Sequence, residues 1–194
     1  MARPVEFDRN QAVHKAQQLF WAQGYSASSL SQLLAAMGIG KSSFYAAFGD
    51  KRSLFVDCLA LFYGKTRRIL ENAMAQHSPS QAIEVFFDKT MLSEHDFANG
   101  CMMVNTVLEL ASVDEALSQL AADYLAEIKK LFEHCISEAQ QQGEVARTLG
   151  ADVLATNLMV INQGMRVASR SGLSRNQLKH TLHCSLASSG LSVH

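Results

Sequence analysis

Apolar residues recur along this chain at spacings of three and four, the period of a helix buried on one side, and seldom alternate with the two-residue period of a strand. Ala12, Ala16, Leu19 and Phe20 form one such stripe between about residues 8 and 23, ended by Gly24. Leu54, Phe55, Cys58, Leu59 and Phe62 form another in a segment that starts at Asp50 and continues to about 75. Between them the pattern predicts short helices near 29–36 and 40–47. After them it predicts helices near 79–93, 100–111, 113–141, 151–170 and 174–188. With two prolines in the whole chain, glycines at segment ends and few β-branched runs, the expectation is an all-α fold of about nine helices.

The helix starts carry their own signature. A side-chain oxygen followed three residues later by Gln or Glu can satisfy two orphan amides reciprocally. The pattern appears at Asp8/Gln11, Ser29/Gln32, Ser78/Gln81, Ser112/Glu115 and Ser174/Gln177. Pro79 follows Ser78 at a first helical position, where its missing N–H costs nothing.

Composition then excludes several classes. The longest apolar run, Cys58 to Tyr63, is far short of the roughly 20 residues that span a bilayer, and the opening MARPVEF has no apolar stretch of a secretory signal. A cytoplasmic protein without a membrane partner is the expectation. Cys58, Cys101, Cys135 and Cys184 lie far apart with no CxxC pair, which argues against a disulfide framework and a structural zinc site. No cofactor motif is visible, so no cofactor is expected. The net charge of −1 divides unevenly: residues 1–52 hold six basic and three acidic side chains, and residues 53–194 hold 11 basic and 15 acidic. A basic head on an acidic body suggests that the head meets a polyanion. The expected division is therefore a head over 1–52 that meets the polyanion and a body over 53–194 with a different task.

The segment from Ser28 to Phe48 has the build of a helix-turn-helix. Leu30, Leu33 and Leu34 line one face of a short helix, Gly38 permits a tight turn, Ile39 plugs the junction, and Phe44 and Phe48 turn the next helix toward the core. Lys41, Ser42, Ser43, Tyr45 and Ala47 are left facing outward. One charge and small hydroxyls without a bulky acid suit a helix lying in the major groove, and Lys51 in the next helix is placed for a phosphate. A plain helical hairpin with an incidental Lys41 is the alternative reading of the same spacing.

The stretch AQQLFWAQGYSASSLSQLLAAMGIGKSSFYAAFGDKRSLF, within Asp8–Phe55, resembles the DNA-binding domain of the TetR/AcrR family of bacterial repressors. It shares a first helix ending in LF…GY, a Ser-rich helix start, Gly-hydrophobic, a short helix ending in Tyr-x-x-Phe, and a Lys before Leu-Phe. The resemblance implies that Ser29, Lys41, Ser42, Ser43, Tyr45 and Lys51 touch double-stranded operator DNA. It also implies a homodimeric regulator, most simply a repressor released from a palindromic operator by a small-molecule or electrophile effector, and not an enzyme. Gly40, Ser31 and Ala47 depart from residues common in the family, so no operator sequence carries over. The alternative is a helical-bundle metal-binding protein or enzyme that uses the same fold; no paired carboxylates, activated nucleophile or phosphate-binding glycine loop supports it.

The rest of the chain suggests three further sites. Leu154, Leu158, Ile161, Met165 and Ala168 form one stripe and Leu178, Leu182 and Leu186 another, and the expectation is that these two helices form a four-helix seam with a second copy. Packing within one protomer is the alternative. Phe86, Phe87, Met91, Phe97, Met102, Met103, Leu108 and Phe132 are large soft side chains, most of them expected in the core and some around an effector cavity. Cys101, in NGCMMVNTVLEL, resembles a run in a branch of the family that includes electrophile-sensing regulators. A helix N-terminus favours the reactive thiolate form, so the two readings are a redox sensor and a small buried hydrophobe. His180, His183 and Cys184 share a helix face but lack an evident fourth ligand, so a surface is favoured over a metal site.

Overall fold

The computed structural model describes residues 7–91 and 98–191, which form nine α-helices and no strand. α1 (Arg9–Gln23), α2 (Leu30–Met37) and α3 (Lys41–Phe48) make an N-terminal head. α4 (Lys51–Gln76) leads into a body of α5 (Pro79–Met91), α6 (Met102–Leu110), α7 (Glu115–Gln142), α8 (Ala151–Arg170) and α9 (Arg175–Ser188). Residues 92–93 of the expected fifth helix, and Phe97, lie outside the described residues. Among the described residues no helix is long and apolar enough to cross a membrane.

The caps explain where the helices begin. At Ser29 and Ser174 both halves of the box are formed: the hydroxyl accepts from the Gln32 or Gln177 amide, and the Gln side-chain oxygen accepts from the cap amide. Asp8 accepts from the Asn10 and Gln11 amides. At Ser78 the amide donates to Gln81 Oε1, but the hydroxyl donates to Glu144 instead, 3.1 Å away. Ser112 is not the cap of α7. Asp114 takes that place and accepts from the Leu117 amide, 3.0 Å away, because a carboxylate answers the positive end of a long helix better than a hydroxyl.

Two apolar clusters hold the chain together. The first joins α1–α3, the start of α4, α6 and the start of α7 around Phe20, Phe44, Phe55, Leu59, Met102 and Leu117. The second joins the end of α4 with α5, α7, α8 and α9 around Leu70, Phe86, Phe87, Phe132, Leu158 and Leu182. α4 contributes Leu54, Phe55, Cys58, Leu59 and Phe62 to one and Leu70 and Ala73 to the other, so the head and the body share a continuous helix. In the second cluster the Phe132 ring meets Phe86 edge-on at 5.0 Å and lies nearly parallel to Phe87 at 6.0 Å.

This packing corrects two sequence expectations. Phe86, Phe87, Met91, Met102, Met103 and Phe132 are each no more than 2% exposed and packed among core neighbours, and none lines a described cavity. Leu108 is the exception, largely exposed on the rim of two clefts. Likewise Leu154, Leu158, Met165, Leu178, Leu182 and Leu186 are buried inside the protomer and cannot face a partner, whereas Ile161 packs against the same cluster but stays partly exposed. The strongest apolar stripe of α8 goes to its own core. A second, weaker stripe of Val153, Val160 and Val167, seven residues apart, stays outside.

Replacing Phe132 by Ala removes the ring on which both Phe86 and Phe87 rest. The expected cost is about 3–5 kcal/mol, read as a lower urea midpoint, and a loss under about 1 kcal/mol would mean that the cluster repacks freely.

Candidate nucleic-acid interface

Helix α3 has two turns, and the inward pair Phe44 and Phe48 sets its orientation. Both are buried, Phe44 against Tyr45 and Phe48, and Phe48 also against Phe7. With that pair inward, Lys41, Ser42, Tyr45 and Ala46 are exposed and Ser43 is half-buried. Ala47, expected outside, packs against the core cluster instead, and Ala46 takes the outward place. One helical step of about 100° separates the two alanines, too little for a two-turn apolar pattern to resolve. Tyr45 is 47% exposed, its ring braced edge-on by Phe44 at 5.3 Å.

The electrostatics of the head separate its cations by task. Arg9 pairs with Asp57, and Arg52 donates from Nε and Nη2 to the two oxygens of Asp114 at 2.9 and 3.2 Å, so both charges are met within the protomer. Lys41 instead stands exposed in the first turn of α3, the end where a cation opposes the helix dipole. Gly40 provides no side-chain cap there. A cation and open amides at one helix start destabilise the helix slightly but favour an anion. Ser29 caps the facing helix, its hydroxyl within 3.0 Å of that of Ser31. Lys51 lies over the Tyr25 ring, 4.4 Å from its centre, and burial pushes its ammonium below the ordinary value while the nearby Glu109 carboxylate partly offsets this. The six residues singled out from the sequence thus lie on the head, on α3 and at the first turns of α2 and α4.

The other candidates sit elsewhere. Cys101 is 3% exposed at the N-cap of α6, a buried thiol beside Met102 and Met103 in the first cluster. Burial pushes the Cys135 thiol up to about 12 and raises that of Cys58 further, so neither is a reactive thiolate. His180, His183 and Cys184 are exposed on α9, and among the described residues no group of three or more His, Cys, Asp or Glu is placed to hold a metal ion.

Residues 12–58 match the model described as bacterial regulatory proteins, tetR family, and residues 80–183 match the model for a tetracyclin repressor-like C-terminal domain. The chain belongs to the TetR family. It is 30% identical over 148 residues to the HTH-type transcriptional regulator YezE of Bacillus subtilis (strain 168), covering 75% of this chain and 76% of that protein. It is 28% identical over 180 residues to the HTH-type transcriptional repressor ComR of Escherichia coli (strain K12), covering 91% and 86%. Its fold superposes with a TM-score of 0.86 on a cysteine mutant of the TetR family transcriptional regulator CifR solved with operator DNA, at 27% identity over 96% of this chain and 98% of that one. This TetR-family protein is a DNA-binding transcriptional regulator and not an enzyme.

The TetR head is tied to its body partly by the Arg52–Asp114 pair, and that contact is pH-dependent. The Arg52 guanidinium, helped by the Leu117 amide, holds the Asp114 carboxyl below its ordinary value. A carboxyl depressed in the folded state stabilises it fully above the unfolded value, about pH 4, and the contribution disappears as pH falls through the lower folded value. Asp114→Asn keeps a competent cap but removes the charge. The thermal midpoint of wild type should therefore exceed that of Asp114→Asn by a constant margin above about pH 4, narrowing below it. A margin independent of pH would show that the ion pair contributes nothing.

Proposed function

We propose that two copies of this chain bind a palindromic operator with α3 of each in successive major grooves, acting as a repressor that a small molecule releases. The observation that carries this reading is the outward face of α3. Lys41, Ser42 and Tyr45 project together from a helix narrow enough for the groove, beside a helix start that suits phosphate. Residues 1–52 are the DNA-binding unit and 53–194 the effector and dimerisation unit. Ser29, Ser43 and Lys51 contact the backbone around the reading helix. Support comes from relatives: ComR is named a repressor, and the CifR mutant was solved with 26-bp double-strand operator DNA.

Dimerisation follows from the same requirement, since a palindrome is read by a two-fold pair. The stripe of Val153, Val160 and Val167 on α8, with exposed Gly164 permitting close approach, is the apolar surface that supports it. For the effector, support lies in a groove of about 360 Å³ between α6, α7 and α8, lined by Val104, Val107, Leu108, Leu125 and Met159 with Lys129 and Gln163 at its polar points. A molecule there would touch α6, which packs against the head.

An operator selected from random duplex DNA by the full-length protein provides the test. Lys41→Ala and Tyr45→Ala should each weaken binding in a gel shift by about tenfold or more at fixed salt. Wild-type affinity in both variants would show that α3 does not read the DNA.

A further inference from the structure

Helix α6 is anchored at both ends to parts of the molecule that its own sequence does not reveal. At its C-terminal end the two oxygens of Glu109 accept separately from consecutive amides of the α1–α2 turn, Oε2 from Tyr25 at 3.0 Å and Oε1 from Ser26 at 2.7 Å. The turn is shaped for this contact. Gly24 has φ of 89°, which strains other residues, and a Cβ there would stand 2.6 Å from Glu109 Oε2, so any side chain would push the carboxylate from its present place. The Ser28 hydroxyl donates to the Gly24 carbonyl at 2.7 Å and closes the turn from the other side. At the opposite end, the Gly100 carbonyl before α6 accepts from Arg166 Nη1 of α8 at 3.3 Å, and a Cβ on Gly100 would stand 3.2 Å from the Arg166 carbonyl. α6 is thus a short rigid strut between α8 and the head.

The turn that Glu109 holds also sets a cation. The Tyr25 ring packs against Phe55 at 4.8 Å and Phe20 at 6.1 Å, and the Lys51 ammonium lies over it at 4.4 Å. We propose that Glu109 is a positioning residue for DNA binding: by clamping the Tyr25 and Ser26 amides it fixes the Tyr25 ring and, through it, the Lys51 ammonium that meets a DNA phosphate. This rests on the reading of Lys51 as a phosphate contact. A charge-assisted pair of hydrogen bonds is among the stronger contacts a surface turn can have. Without it, the turn and the ring lose their fixed place, and Lys51 keeps its charge but not its aim. The clamp also gives a shift of α6 against α8 a direct route to the DNA-contacting side chains.

The test measures affinity of the full-length protein for a duplex carrying its selected operator across a range of salt concentrations, with Glu109→Ala, Glu109→Gln, Lys51→Ala and the Glu109→Ala/Lys51→Ala double variant. The slope of log affinity against log salt changes by about 0.9 for each phosphate contact. Two heads losing one contact each should flatten it by about 1.8 in Lys51→Ala. Glu109→Ala should flatten it by a similar amount, with an affinity loss of roughly tenfold, Glu109→Gln should fall between it and wild type, and the double variant should go no further than Lys51→Ala alone. A residue that only stabilised the fold would reduce the active fraction equally at every salt concentration and leave the slope unchanged. An unchanged slope in Glu109→Ala, or full additivity with Lys51→Ala, would overturn the positioning role. An unchanged slope in Lys51→Ala itself would overturn the phosphate contact, and the positioning role with it.

Discussion

Helix α3 has eight residues, and a helix that short does not persist in water by its own propensity. What it presents outward depends on the burial of Phe44 and Phe48, which are removed from solvent against α1, α4 and each other. Two phenylalanines buried at spacing four supply several kcal/mol of apolar stabilisation that a helix of this length lacks in isolation. The polar face then faces outward because no other orientation buries both rings. Its features disfavour an isolated helix: a lysine at the positive end, a glycine cap without a side chain, an exposed tyrosine. A surface that works against its own helix and is held in place from behind is a surface kept for a partner.

The head does not stand apart from the body. Its core is continuous with α6 and the start of α7 through Met102, Met103, Val104, Leu110 and Leu117, and α4 carries apolar residues into both clusters. Polar contacts then fix the angle that the apolar core leaves adjustable. Arg52 reaches Asp114 at the cap of α7, and Glu109 reaches the turn ahead of α2. Apolar contact tolerates small sliding, whereas bidentate geometry does not, so these two junctions tie the start of α4 to α7 and the α1–α2 turn to α6. A regulator needs that geometry well defined and also movable by a few kcal/mol, the scale on which ligands shift equilibria.

Local chemistry was legible in the sequence and long-range chemistry was not. The helices and most of their caps follow from side chains within four residues of one another, so the boxes at Ser29 and Ser174 could be read directly. At α7 a hydroxyl and a carboxylate two residues apart competed for one cap, and the charge of Asp114 decided it. On α8 two apolar stripes existed, and a pattern alone does not say which one the protomer keeps; the bulkier leucines and methionine went inward and the valines stayed outside. The aromatic and methionine residues of α5–α7 packed into a solid core, because large soft side chains fill space wherever they can interdigitate. Glu109 was invisible for a different reason: its amide partners lie more than eighty residues earlier in the chain, and nothing in their local pattern announces a carboxylate.

Whether α3 of each head enters the major groove is tested by chemical footprinting, without any mutation. Dimethyl sulfate methylates guanine N7, which lies in the major groove, and adenine N3, which lies in the minor groove. With the selected operator and the full-length protein, guanine N7 should be protected in two patches related by a dyad, their centres about one helical turn or a whole multiple of it apart. Protection confined to adenine N3, or a single patch without a symmetric mate, would contradict a two-headed reader of the major groove.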